Sequence, residues 1–516
     1  MRAPVIMIQG TSSHVGKSVI TAGLCRLLRD RGLRVAPFKA VNMSLNAAVA
    51  LDGGEIARST AVQAAAAGIE PTVDMNPVLL KPEAGGVTQV IIRGRVHGRT
   101  RYGLDPPAAA AVWPVIAESL DRLRRQYDLI VAEGAGSPAE MNLRDRDLAN
   151  MRVALYADAA VILVADIDRG GVFARIVGTL ELLPPRERAL VRGLIINRFM
   201  GDPALFADGV RFLEERTGRP VLGVVPYVRD LGLAEEDAAV LDAPRPAGAR
   251  KDDGQGLRIA VVRLPRLANF DEFDPLARRP GVTLAYVDRP DQLADADLII
   301  LPGTKSTVAD LAFLRARGLA AAITAARARG TPIIGVCGGY QMLGREIADP
   351  DGVEAPAGCV RGLGLLDHST IFGPEKVTCR VHVRLVARTG PFALACGAEA
   401  EGYEIHAGRP IRGESAAPLR IVSRGGTAVD EPEGALSADG LVLGTSVHGL
   451  LTSPTVCDAL LAWLTAHARP GAPARGTDTA PDLDSACGRW AAVLAGALDL
   501  PALLAHCGLT VSGSRT

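Results

Sequence analysis

A chain of 516 residues exceeds what one hydrophobic core supports, so two or three domains are expected. Lys plus Arg balance Asp plus Glu at 57 each, which leaves no electrostatic case for nucleic acid or an anionic membrane as partner. Eight cysteines without a CxxC pair argue against a zinc site or disulfide framework, and no stretch reaches the length of an uncharged membrane span.

The N-terminus, Met1-Arg2-Ala3-Pro4, has no signal-peptide architecture and runs directly into an apolar strand, Val5-Ile6-Met7-Ile8. A cytoplasmic protein with reduced thiols is therefore expected. Gln9 to Ser18 (QGTSSHVGKS) follows, and then a periodic segment through Val19, Ile20, Leu24, Leu27 and Leu28. Strand, glycine-containing loop and helix in that order make the context of a phosphate-binding loop. Gly10 and Gly16 let the backbone, with Thr11 between them, fold around phosphate oxygens, and the helix start offers free N–H groups. Lys17 is placed to reach the β- and γ-phosphates and Ser18 to ligate Mg²⁺, so ATP and Mg²⁺ are the expected ligands. Five residues separate the two glycines, one more than in the usual loop.

Further along, residues 33–39 read as a strand ending in Lys39, residues 41–46 (VNMSLN) as a polar loop, and Glu55 to Ala67 as a helix. A short strand at 89–92, a helix from Ala108 to Arg125, and buried strands at 128–133, 160–165, 193–196 and 221–226 follow. Such alternation predicts a doubly wound parallel sheet whose ligands sit beyond the carboxyl ends of the strands. Glu133-Gly134-Ala135-Gly136, Asp166-Ile167-Asp168-Arg169 and Asn197-Arg198 all fall at such ends. Asp145, Asp147, Asp166 and Asp168 are candidates for positioning Mg²⁺ or substrate; surface salt bridges to neighbouring arginines are the competing reading.

Residues 242–256 (DAPRPAGARKDDGQG) are rich in Pro, Gly and charge and read as a linker. The expected division is 1–241, a linker at 242–256, a second α/β domain at 257–466, and a connector with one closing helix at 467–516. The second domain carries strands at 257–262, 282–287, 298–301 and 332–336, then a β-rich part from 379 to 386 and a strand at 441–447 before His448. Gly335-Val336-Cys337-Gly338-Gly339-Tyr340-Gln341 places a cysteine at a tight strand-to-helix turn, a nucleophile-elbow arrangement with sulfur in place of oxygen. The N–H of Gly338, with one from the Gly303 loop, could stabilise an oxyanion. His448 is the best-placed base of the eight histidines; His368, His382 and His406 read as ordinary polar residues or substrate contacts.

Residues 257 to about 466 resemble a class I glutamine amidotransferase domain, flavodoxin-like in fold. The resemblance implies that Cys337 forms a γ-glutamyl thioester, that His448 is the base, that Gln341 contacts substrate glutamine and that ammonia is released. Where that family continues His-Pro-Glu, this chain has His448-Gly449-Leu450, so the third carboxylate of a triad is missing from its usual place. A Cys-His dyad is expected, with nothing yet to orient His448. The first half resembles dethiobiotin synthetase, which implies that Lys39 contacts the γ-phosphate, Glu133 helps hold Mg²⁺ and Asn197 recognises adenine. Asn42 to Asn46, Asp166 to Phe173 and Gly402-Tyr403-Glu404-Ile405-His406 join these two likenesses into one, to the cobyrinate-amidating family. That likeness implies a carbon–nitrogen ligase of cobalamin biosynthesis acting on three small molecules: a corrinoid, L-glutamine and ATP. The implied reaction amidates the b, d, e and g carboxylates of adenosylcobyrinic acid a,c-diamide. The alternative within the family is formation of the a,c-diamide itself; a partitioning ATPase with an inert second domain would leave both Cys337 and His448 without a role.

Overall fold

The computed structural model describes residues 2–101, 103–229, 231–233, 256–468 and 482–509. The linker read at 242–256 and the connector at 468–481 lie almost wholly outside the described residues.

The first half is built on a six-stranded parallel sheet in the order Val221–Pro226, Val191–Phe199, Ala160–Asp166, Val5–Gly10, Leu129–Glu133, Val35–Phe38. Its strands are unbroken apolar runs because helices cover both faces, leaving no solvated side to alternate with. Val5–Gly10 is buried at every position, and two separate core clusters form, one on each face. Register decides what meets at the carboxyl edge: Ile8 lies opposite Glu133, Gly10 opposite Val164, and Asp166 opposite Asn197.

The second half has a parallel sheet in the order Val282–Val287, Leu257–Val262, Leu298–Leu301, Ile333–Val336, Val442–Thr445, edged by the antiparallel pair Ala435–Leu436. Beside it stands a largely antiparallel sheet organised on His368–Leu385, which pairs with Glu399–Arg412 along most of its length. The fold is thus a doubly wound α/β domain followed by a second α/β domain that carries an additional antiparallel sheet. Among the described residues no helix is long and apolar enough to cross a membrane.

Three elements depart from expectation. The polar stretch at 41–46 contains a strand, Val41–Met43, in a four-stranded sheet with Val78–Pro82, Val87–Ile92 and Arg95–Arg101. Strands this short carry too little periodicity to be separated from loops; pairing with distant partners makes them. The helix expected over 55–67 begins only at Arg58: Glu55–Ala57 is a strand paired with Ala47–Val49, and the helix, α1, spans Arg58–Ala66. Glu55 is drawn out of the helix by burial between two ammonium groups, Lys81 at 2.6 Å and Lys376 of the second domain.

The closing helix is two helices, Leu483–Ala497 and Leu500–Ala505, the second restarted by Asp499, which accepts a hydrogen bond from Ala502 N at 3.0 Å. They pack on the first domain. Trp490 Nε1 donates to Val19 O at 2.8 Å, and Arg26 pairs with Asp484 at 2.6 Å. Gly23 makes this approach possible, since a Cβ there would lie 2.5 Å from Trp490 Cδ1 and 2.4 Å from Leu494 Cδ1. Burying a large side chain such as Trp490 contributes roughly 1.5–3 kcal/mol.

Candidate functional site

The phosphate loop closes between Gly10 and the helix Lys17–Arg29. Gly16 adopts φ 96°, a left-handed conformation, and a Cβ on it would sit 2.3 Å from Asn197 Nδ2, so only glycine fits. Asn197 donates to Val15 O at 2.8 Å and so braces the loop from the neighbouring strand. Lys17 Nζ donates to Ser12 O at 3.0 Å and Gly136 O at 2.9 Å, curling over the loop toward the end of the Leu129–Glu133 strand. Thr11 Oγ1 is buried without a hydrogen-bond partner among the described residues.

Glu133 is the hub of this centre. It accepts from Ser18 Oγ at 2.7 Å, Lys39 Nζ at 2.9 Å and Gln63 Nε2 at 2.5 Å, with the Lys39 and Glu133 side chains 4% and 1% exposed. Removing one partner of such a buried pair costs about 3–5 kcal/mol, because the other charge is left in low dielectric. A hydroxyl and a carboxylate oxygen meeting beside a phosphate loop form the hard donor set that suits Mg²⁺, so Ser18 and Glu133 fit that ion.

The four aspartates are not brought together, and no cluster of three metal-ligating side chains occurs among the described residues. Asp145 and Asp168 are exposed. Asp147 neither binds a neighbouring arginine nor faces a metal set: its carboxylate accepts from the backbone N–H of Ala149, Asn150 and Met151 at 2.8–3.0 Å. Asn150 in turn grips Ala135 through both N–H and C=O, at 3.1 and 2.8 Å, steadying the loop whose Gly136 carbonyl receives Lys17. Asp166 is buried, pairs with Arg198 at 3.0 Å and accepts from Asp168 N at 2.8 Å.

At the second centre Cys337 has φ 49° and ψ −108°, a strained elbow for a residue with a Cβ. Gly339 lets the turn lie close against the end of the neighbouring strand Leu298–Leu301, since a Cβ there would lie 1.9 Å from Leu301 O. The Gly303 loop also comes close, where an added Cβ would be 2.8 Å from His448 Cε1. The sulfur lies 3.7 Å from Ile405 O, and the His448 ring is near enough for its charge to act on it. Burial, the largest single influence, would raise the Cys337 pKa, but the nearby imidazoles of His448 and His406 together outweigh it and hold the thiol below its ordinary value. His448 is pushed up to about 10: burial opposes its charge, and the carboxylate of Glu272 and the Cys337 sulfur overcome that. Both shifts favour the thiolate–imidazolium form of the pair over the neutral one.

Glu272 corrects the expected dyad. Its Oε1 lies 3.0 Å from His448 Nδ1 and its Oε2 accepts from Gly449 N at 3.1 Å. A carboxylate therefore does hold the ring, arriving from a turn at Phe270–Phe273 instead of from two residues beyond the histidine. The only sequence signal was an acidic run, Asp271-Glu272, in Asn269-Phe270-Asp271-Glu272-Phe273. Tyr403 was also missed: its backbone pairs with His448 in both directions, at 3.1 and 2.9 Å, and its ring stacks on the imidazole at 5.3 Å. Gln341 bridges Thr307 Oγ1 at 3.1 Å and Gly408 O at 3.3 Å. His406 lies close enough to affect the Cys337 charge, whereas His368 is buried against Tyr340 and held neutral, near 4, mainly by burial.

Comparison with known proteins agrees with both halves. Residues 6–240 match the family described as the CobQ/CobB/MinD/ParA nucleotide binding domain, and residues 258–456 the CobB/CobQ-like glutamine amidotransferase domain. A cobyric acid synthase of Sorangium cellulosum is 49% identical over 97% of this chain and 98% of the relative. The chain belongs to the cobyric acid synthase family. Cobyric acid synthases of Chloroflexus aggregans and Roseiflexus castenholzii are 55% and 54% identical, each over 88% of this chain and 90% of the relative. As a member of the cobyric acid synthase family it is a glutamine-dependent carbon–nitrogen ligase with a nucleotide-binding half and an amidotransferase half.

Proposed function

We propose that the chain uses ATP and glutamine to amidate the b, d, e and g carboxylates of adenosylcobyrinic acid a,c-diamide. Identity of 49% to a cobyric acid synthase over 97% of the chain, and so through both halves, is the observation that carries this reading. A carboxylate is a poor electrophile and hydroxide a poor leaving group, so ATP phosphorylates the acid and ammonia then displaces phosphate from the acyl phosphate. Lys17 and Lys39 neutralise charge on the transferring phosphoryl group, which needs positioning and electrostatics more than covalent help. Ser18 and Glu133 would hold Mg²⁺, which would supply further charge neutralisation. Asn197, at the end of the Val191–Phe199 strand, would recognise adenine by the likeness to dethiobiotin synthetase.

Ammonia is made at the other centre. The Cys337 thiolate attacks the carboxamide carbon of glutamine, with the N–H groups of Gly338 and the Gly303 loop facing the developing oxyanion. As the C–N bond breaks, His448 gives its proton to the departing nitrogen and ammonia leaves. Water, activated by the now neutral His448, cleaves the thioester to glutamate and regenerates the thiolate. Glu272 holds the imidazole in the tautomer these transfers require. Both reactive species are lost to water if exposed, so a shielded route joins the centres. The eight cysteines all carry free thiols, which suits a reducing cytoplasm.

Mass spectrometry of the product after incubation with substrate, ATP and glutamine tests the reading. Successive losses of one mass unit, each an OH replaced by NH₂, count the amidations up to four; turnover of only the undiamidated acid would defeat it. Glu272→Gln tests the triad, because an amide at Nδ1 supports the wrong tautomer. Glutamate release is expected to fall about 10²–10⁴-fold, and an unchanged rate would return the site to a dyad.

A further inference from the structure

The turn that supplies Glu272 is held from the other half of the chain. Asp271, its immediate neighbour, receives Arg58 Nε at 2.8 Å, and Arg58 is the first residue of α1 in the nucleotide-binding half. The Asp271 side chain is 7% exposed, and its Oδ1 has no hydrogen-bond partner among the described residues. A second tie grips the same turn: Asn269, in a left-handed conformation with φ 54°, accepts from Ala47 N at 2.8 Å. Around these ties Ala47, Val49, Ala57, Leu79 and Ile91 of the first half pack with Ile405 and Tyr403 of the second. Tyr403 is the ring on His448, and the Ile405 carbonyl faces Cys337.

A buried carboxylate needs a partner, or it moves toward water or takes up a proton. Without Arg58, Asp271 would do either, and Glu272 is the next residue along the same short turn. Such a shift matters, since proton transfers through His448 depend on the ring being held in one orientation. The same helix carries Gln63 about 7.5 Å further along its axis, at 1.5 Å per residue, where it donates to Glu133 and to Ser18 O. One rigid element therefore touches both centres.

We propose that Arg58, contributed by the nucleotide-binding half, is a positioning residue of the glutaminase: it holds the Asn269–Phe273 turn so that Glu272 meets His448 Nδ1. This rests on the triad reading given above. Glutamine hydrolysis then requires the nucleotide-binding half to be seated against the amidotransferase half, and the protein releases ammonia only where it can be used.

Arg58→Ala in the full-length enzyme is the test, with Glu272→Gln measured beside it. Arg58→Ala is expected to lower kcat for glutamate release about tenfold or more, with KM for glutamine within about threefold. The ratio of glutamine-dependent to ammonium-dependent amidation falls with it, and millimolar guanidinium restores part of the lost kcat. Equal loss with both nitrogen sources, an unchanged kcat, or no guanidinium rescue would overturn the proposal. If Arg58→Ala does not fold, Arg58→Ala/Asp271→Asn removes both charges together. Its kcat should then lie close to that of Asp271→Asn alone, and a further loss of similar size beyond the single variant contradicts an effect routed through Asp271. Full activity of Glu272→Gln would instead remove the triad reading, and an inactive Glu272→Gln with a normal Arg58→Ala would remove only this proposal.

Discussion

Cys337→Ser abolishes glutamine-dependent amidation while amidation supported by ammonium salts continues. The hydroxyl of serine, unlike the Cys337 thiol, is not brought to its anion by an adjacent imidazolium, so the His448–Glu272 pair has no charged nucleophile to stabilise. Losing the nucleophile of a unit that works together costs on the order of 10⁴–10⁶-fold in kcat. The substitution removes no more than one sulfur-for-oxygen exchange at a buried elbow, so the rest of the fold has little reason to change. Ammonia added from solution bypasses the thioester and still meets an activated carboxylate. The check is paired: glutamate release and product formation with glutamine, then product formation with an ammonium salt at a pH where free ammonia is appreciable. Loss of both activities would contradict separable centres.

Lys17→Ala has the complementary signature, since it stops amidation from either nitrogen source. Activation of the acid precedes attack by ammonia, so no nitrogen donor can compensate for a carboxylate that is never phosphorylated. Lys17 is seated by Ser12 O and Gly136 O over the loop where phosphate is expected, and its charge offsets what accumulates on the transferring group. A fall on the order of 10³-fold or more is expected in both assays, comparable to losing another cation from a phosphoryl-transfer site. Glutamate release measured alone survives, because the Cys337 centre keeps its own residues. Retained ammonium-dependent amidation would refute the assignment of the phosphate loop.

Both substitutions act at motifs contiguous in the chain, and that is why they were legible without coordinates. Gly10 to Ser18 and Gly335 to Gln341 specify their own turns through glycines, a strand before and a helix after, and local backbone geometry largely decides where their side chains point. The parallel sheets were equally legible, because strands buried on both faces are uninterrupted apolar runs. The short strands at 41–43, 47–49 and 55–57 were not, because pairing with distant segments makes them strands.

Fold class, the reading of Gly10–Ser18 as a phosphate loop with Lys17 and Ser18, and the proposal of Cys337 with His448 as its base all rest on local sequence patterns. Tertiary structure alone decided the role of Glu272, which lies 176 positions from His448 yet reaches its Nδ1. It also decided that Asp147 holds backbone N–H groups of the loop that receives Lys17, and that the last helices brace the first domain through Trp490. The physical reason is range. Propensity, turn chemistry and apolar periodicity act over a few residues, whereas a hydrogen bond or ion pair joins whatever the packed core brings within about 3 Å, however far apart in the chain.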